Sequence, residues 1–401
     1  MSYIKMNFKK SVLSLSLFAL LPASGFAKDL LPANLNISAV IDGYYQTQDK
    51  VLGGRSKGFG LGETELAFSG NIDDAFYGKL TSIIESHDGK TELELEEAFV
   101  QTLSLPAGFS VRGGRFMSNI GYLNNQHLHT DAFVDRPAAY RAFLGNHYFD
   151  DGLRIDYLAP TDLYWSMGVE AFKGEKLKAD NEEAKLKTVG AYTAFTKIGG
   201  DIGVSSSWQL GLSYLRNQNG LSGHHDEHEE EGHEGHDHDD HGHKGEQGHT
   251  HGAKYTGKNL FGVDAVYKWA PNGNYKYQHL TLSGEYYRLT DLFETEGEHA
   301  EEFDGKDHQG WYVSGVYQWS PKWSTGVRYG RIDVQTLHDE ELEQLNLKET
   351  EFELAYHHSH FSTIRLQYTN QQGQESLKPK DEHSVTLQFI MTLGAHSAHQ
   401  F

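Results

Sequence analysis

The stretch Val385-Thr386-Leu387-Gln388-Phe389-Ile390-Met391-Thr392-Leu393 decides the fold. Val385, Leu387, Phe389, Met391 and Leu393 are apolar at every second position, with Thr386, Gln388 and Thr392 between them. A period of two belongs to a strand with one apolar face. The same alternation runs through Ile364, Leu366 and Tyr368, through Phe352, Leu354 and Tyr356, through Phe261, Val263, Ala265, Tyr267 and Trp269, and through Trp208, Leu210, Leu212 and Tyr214. A soluble sandwich would alternate in the same way, so the connections must discriminate. Short links at 71–74, 105–108, 159–162, 270–273 and 320–322 alternate with long polar ones near 48–59, 86–92, 117–151, 175–186, 217–258, 291–308, 334–348 and 371–382. Short periplasmic turns alternating with long external loops mark an outer-membrane barrel. The runs predict an all-β, transmembrane antiparallel barrel of about sixteen strands, an even number that puts both termini in the periplasm.

Composition agrees. The 401 residues are 38% hydrophobic and 12% aromatic, with 43 Gly, 8 Pro and no Cys. A lipid-facing wall needs apolar residues at only every second position, whereas a helical membrane protein needs unbroken apolar stretches. The lack of Cys excludes disulfide scaffolds, thiolate zinc fingers and CxxC redox sites. A net charge of −21 excludes a nucleic-acid footprint. Residues 1–27 read as a signal peptide: Lys5, Lys9 and Lys10, an apolar segment from Val12 to Leu21, then Ala23-Ser24-Gly25-Phe26-Ala27. Residues 28–401 then form the barrel, placed in the outer membrane of a Gram-negative bacterium with lipid and lipopolysaccharide around it. Trp165, Trp269, Trp311, Trp319 and Trp323 stand at run ends, as interfacial girdles do. Phe401 ends the chain in the parity of the last apolar set, the form of a signal to the barrel assembly machinery. Glu97 falls on the lipid parity of its run, and Gly113-Gly114 interrupts another.

The most specific local feature lies in the predicted external loop 217–258. Between residues 224 and 251 stand ten His (His224, His225, His228, His233, His236, His238, His241, His243, His249 and His251), ten Asp or Glu, five Gly and one base, Lys244. Imidazole and carboxylate suit Zn(II) and other divalent transition metals. Irregular spacing on a Gly-rich backbone predicts interchangeable weak sites that gather metal. The bland reading is a solvated acidic loop. His357, His358 and His360, with His396 and His399, form secondary metal candidates near the periplasmic rim. His87, His127, His129, His147, His299, His308, His338 and His383 fall on external loops and read singly as ordinary surface His. The loop 117–151 is rich in aromatics, and Asp131, Asp135, Arg136 and Arg141 are its constriction candidates if it enters the lumen. A packed external lid is the other reading. Parity points Glu63, Glu65, Glu94, Glu96, Asp156, Asp264, Glu285 and Glu353 inward with Lys79, Arg112, Arg154, Lys268, Arg328 and Arg365, a mixed and mildly acidic channel.

Leu61-Gly62-Glu63-Thr64-Glu65, Asn71-Ile72-Asp73-Asp74, Glu96-Glu97-Ala98-Phe99-Val100, Leu105-Pro106-Ala107-Gly108 and Gly114-Arg115-Phe116 resemble outer-membrane porin-like proteins, and are loosely similar to the phosphate-selective porin O/P group. The stretch Gly121 to His129, Phe143-Leu144-Gly145 and the tail from Gly394 to Phe401 look like a zinc-associated subgroup. The resemblance implies a barrel across the mature chain, and the acidic lumen departs from the phosphate-selective pattern. The His-rich loop is similar to loops of zinc-uptake receptors, which carry a plug before a larger barrel. Strand pattern here begins by Leu35.

These features predict a non-enzymatic porin for passive diffusion of small solutes, with a homotrimer as one assembly and a loop that concentrates zinc. The alternatives are a general or anion-selective porin with an incidental His loop and a non-conducting metal-binding barrel. No Ser/His/Asp spacing supports an enzyme.

Overall fold

Alternation becomes a wall because successive side chains of a strand point to opposite faces. The structure is a computed structural model that describes residues 35–87, 90–177, 187–219, 253–293, 306–338 and 341–394. Its strands are β1 (Asn36–Gln46), β2 (Gly58–Leu61), β3 (Thr64–Asn71), β4 (Phe76–His87), β5 (Lys90–Thr102), β6 (Phe109–Met117), β7 (Phe149–Leu158), β8 (Tyr164–Phe172), β9 (Ala191–Ile202), β10 (Ser206–Asn217), β11 (Thr256–Trp269), β12 (His279–Phe293), β13 (His308–Ser320), β14 (Trp323–His338), β15 (Glu341–Ser359), β16 (Ser362–Gly373) and β17 (His383–Gly394). β2 and β3 both pair with β1, β2 opposite Gly43–Gln46 and β3 opposite Asn36–Val40, so they are two parts of one stave. The 17 segments therefore make 16 staves, as the alternation predicts. Each stave is antiparallel to its neighbours, and β17 pairs with β1 from Ser38↔Gly394 to Gln46↔Thr386, which closes the barrel.

The wall is inside out relative to a soluble barrel. On β17, Val385, Leu387, Phe389 and Leu393 face outward and are exposed, whereas Ser384, Thr386, Gln388 and Thr392 are buried within. β16 exposes Ile364, Leu366 and Tyr368 and buries Arg365, Gln367, Thr369 and Gln371. β15 exposes Phe352 and Leu354 and buries Glu349, Glu351 and Glu353. An apolar exterior around a polar interior belongs in a bilayer. Among the described residues no helix is long and apolar enough to cross a membrane.

Two sequence misfits have local causes. Thr81 pairs with Glu97 but Ser82 with Leu95, so Glu96 is the extra residue of a β-bulge in β5. The bulge turns Glu97 in beside Glu96, and both are buried. Gly114 adopts φ +124°, and a Cβ there would lie 2.2 Å from the Ala98 carbonyl oxygen, so only glycine fits against β5.

The signal peptide, the His-rich segment 224–251, His299, His396, His399 and Phe401 lie outside the described residues. A cation on the outer face near mid-membrane tests the wall. Leu387→Arg is expected to cost about 2–4 kcal/mol, read as a lowered urea midpoint for the barrel refolded in liposomes, with Leu387→Ala as the smaller reference loss.

Candidate functional site

The chain between β6 and β7, residues 118–148, enters the lumen. A backbone can leave bulk water only if its N–H and C=O groups find other partners, and the polar wall supplies them. Glu285 of β12 accepts from the Tyr122 and Leu123 amides at 2.9 and 3.2 Å and from the Tyr140 hydroxyl at 2.8 Å. The wall hydroxyls of Tyr287 and Tyr312 donate to the same carboxylate at 2.8 and 2.7 Å. Elsewhere wall cations hold loop carbonyls: Arg328 that of Asp135 and Arg365 that of Asp131, each at 2.6 Å, and Lys197 that of Gly121 at 2.8 Å. Gln367 accepts from the Val134 amide at 2.8 Å. The packed-lid reading of this loop is thereby replaced by the lumen reading.

The loop has its own fold. Asn124 staples its neck, donating to the Ser118 and Tyr148 carbonyls at 2.8 and 2.9 Å while accepting from the Tyr148 amide at 2.6 Å. Pro137 precedes a short helix, α1 (Ala138–Phe143), whose six residues are all buried and which packs on β13 and β14. Residues 133–144 are buried, whereas most of 122–132 keep partial exposure.

Asp131, Asp135, Arg136 and Arg141 are all buried and paired. Asp131 meets Arg136 at 2.5 Å, Asp135 meets Lys50 and lies 3.6 Å from Arg55, and Arg141 reaches both oxygens of Glu349 at 2.6 Å. Arg141 thus fixes the loop to the wall and Asp135 fixes it to residues 47–57, whereas Asp131 and Arg136 brace the loop within itself. Burial opposes ionisation of Asp135, but the Lys50 ammonium and Arg55 guanidinium outweigh it and hold its pKa below the usual Asp value. At Asp131 burial prevails over Arg136 and raises the pKa. Burial, reinforced by Glu285, lifts the Tyr140 hydroxyl well above its ordinary value, and burial pushes Tyr122 to about 12.

A second cluster joins the loop to β3 and β5. His127 Nδ1 lies 2.9 Å from Glu96 and 3.2 Å from Glu65; His129 Nδ1 lies 3.1 Å from Glu65; His147 Nε2 lies 3.0 Å from Glu96. Glu63, Glu96 and His147, and likewise Glu65, Glu96 and His127, each bring three ligand-type atoms within 4.8 Å of one another. Burial opposes protonation of His127, yet Glu96 and Glu65 outweigh it and raise its pKa well above the imidazole norm. Read singly along the chain, these His are surface residues; only the inward fold of the loop unites them.

The other predicted positions disperse. His357 contacts the Ser324 and Thr363 hydroxyls, each at 3.1 Å, His358 turns toward Tyr356 on the opposite face, and His360 sits on Phe361. Those three rings do not converge on one point. The inward set read from parity is buried or half-buried as expected, and Asp42, Glu97, Glu170, Glu349 and Glu351 add to it.

No known family model matches the chain. An uncharacterised protein of Aquifex aeolicus is 28% identical over 360 residues, covering 86% of this chain and 70% of the relative. Among solved structures, OprB of Pseudomonas putida superposes with TM-score 0.55 at 13% identity, covering 93% of this chain and 97% of that one. OmpF of Salmonella typhi gives 0.54 at 12% identity, over 90% and 98%. An anion-selective porin of Comamonas acidovorans gives 0.53 at 11%, over 90% and 99%. The chain thus has the fold of Gram-negative outer-membrane porins.

Removing the Glu285 carboxylate leaves several buried donors without an acceptor, at about 1.5–3 kcal/mol for each bond to a charged group. Glu285→Ala is expected to raise single-channel conductance several-fold and to open residues 118–148 to protease. Unchanged conductance with an uncut loop would show that Glu285 does not hold it.

Proposed function

We propose that the protein is an outer-membrane porin that admits small solutes by passive diffusion and concentrates divalent metal, zinc foremost, at its external His-rich loop. The observation that carries the channel reading is the inward loop: residues 118–148 bond to the inner face of the wall at Glu285, Arg328, Arg365 and Lys197, with most of 122–132 only partly buried. A constriction built on fixed charges sorts solutes by width and field. The lumen's acids, paired largely with wall and loop cations, favour a mixed channel over a basic ladder for anions.

The metal reading rests on residues 224–251, whose ten His and ten carboxylates form a donor set dense in the sequence. It agrees with the resemblance to a zinc-associated subgroup. Protons compete with metal for imidazole, so capture weakens as pH falls through the His range. A homotrimer is the favoured assembly, supported by OmpT of Vibrio cholerae, a structural match that exists in a trimer form. Lipopolysaccharide and the barrel assembly machinery complete the proposed partners.

Two measurements on one pair of proteins test this reading. Planar-bilayer conductance is expected from both the full chain and a variant lacking residues 224–251. Zinc uptake by cells at limiting zinc is expected to fall only in the deletion variant, and zinc held by the full chain at neutral pH is expected to dissociate near about pH 5. A full chain that does not conduct would make it a surface metal binder, and undiminished uptake would make the loop incidental.

A further inference from the structure

The two donor triads around Glu96 carry an inference that the external loop does not. Two backbone irregularities build them. The stave formed by β2 and β3 breaks at Gly62-Glu63, where a Cβ on Gly62 would lie 1.9 Å from an Arg55 nitrogen. Just past the break, Glu63 and Glu65 turn inward and are buried. The β5 bulge supplies Glu96 and Glu97, and the inward loop brings His127 and His147 down onto them. Glu96 is 0% exposed, and its two oxygens each face an imidazole nitrogen, His127 Nδ1 at 2.9 Å and His147 Nε2 at 3.0 Å. Buried polar atoms are normally hydrogen-bonded. Here the partners are themselves metal-ligand types, converging in two sets of three atoms within 4.8 Å of one another.

We propose that this cluster is a divalent transition-metal site inside the lumen, with Glu96 as the shared ligand between a Glu63/His147 pocket and a Glu65/His127 pocket. Mixed imidazole and carboxylate donors suit Zn(II) and its neighbours, whereas Mg(II) and Ca(II) prefer oxygen alone. Three protein ligands in a pocket leave a coordination position open, as in exchangeable zinc sites. With Nδ1 on a metal, the His127 proton resides on Nε2, which faces Glu97 at 3.1 Å. That is the carboxylate–histidine–metal arrangement that fixes a ligand's tautomer. Lys79, a donor only, lies 2.8 Å from the same nitrogen and is ion-paired with Glu97, so a metal on Nδ1 requires the ammonium to withdraw from Nε2 and stay on the carboxylate. Glu97 is thus a positioning residue. The site goes beyond the capture loop, since a cation that entered the pore would meet it below the mouth.

The test uses the full chain with Zn(II) as the probe. Anomalous scattering at the zinc edge from zinc-soaked crystals is expected to place density within about 2.0–2.2 Å of Glu96 oxygen and of a His127 or His147 nitrogen. Competition with a chelator is expected to show a tight class of sites lost in Glu96→Gln, about halved in His147→Gln, which leaves the Glu65/His127 pocket, and weakened about ten- to hundredfold at that pocket in Glu97→Gln. Heat-modifiable migration in a gel verifies that each variant is a closed barrel, and His147→Gln serves if Glu96→Gln does not fold. Wild-type crystals without density at Glu96, or a tight class that survives both ligand substitutions, would overturn the site. Either outcome leaves the conductance and uptake results standing, so the inference and the porin reading fail separately.

Discussion

One wall carboxylate sets the interior. Glu285 accepts two backbone amides and a tyrosine hydroxyl from the inward loop, plus two hydroxyls from its own wall. A carboxylate is acceptor-only and has room for about four hydrogen bonds, so this one is saturated by donors that would otherwise be stranded away from water. The turn of chain at Tyr122 and Leu123, the position of Tyr140 and through it the start of α1 all follow. With that turn fixed, Asp131 and Asp135 come within reach of Arg365 on β16 and Arg328 on β14.

The result is an interior in which charge performs the packing that apolar side chains perform elsewhere. Arg141 of the loop pairs with Glu349 of the wall, and the buried wall pairs Arg328–Glu351 and Arg154–Glu170 hold the loop's Asp135 carbonyl and Asn119 amide. Such pairs add little net stability over an apolar substitute, but breaking one leaves a stranded charge at about 3–5 kcal/mol. An apolar filling would hold the loop equally well and would close the lumen to hydrated solutes. The polar interior and the apolar exterior are therefore two answers to one geometry, each set by the medium it faces.

Much of this architecture is legible along the chain because the bilayer enforces it locally. Val385 to Leu393 must alternate wherever one face meets lipid, so strand number, wall polarity and the inward set from Glu63 to Arg365 can be read by parity. Parity fails where the ladder slips. Glu97 reads as lipid-facing until the Glu96 bulge is seen, and a bulge is a matter of register between two strands. The fate of the loop is also hidden, since Tyr140 and Glu285 are 145 residues apart and no local pattern links them. His127, His129 and His147 look like dispersed surface residues for the same reason. Charge alone marks Asp131, Asp135, Arg136 and Arg141 within their loop, and charge does not separate a side chain lining an opening from one anchoring the loop.

The inward loop also bears on the order in which the barrel is made. The closing seam joins β1 to β17, and on its inner side Asp42 of β1 accepts from Gln388 of β17 at 3.0 Å and from Arg55 at 2.8 Å. Arg55 in turn donates to the Val134 carbonyl of the loop at 3.3 Å, while the Val134 amide is held by Gln367 of β16. The loop thus touches both sides of the seam from within. A segment of 31 residues that bonds near both flanks of the seam completes its seat only once the first and last strands have met. The loop is then an internal clasp, the last joint of the barrel to close.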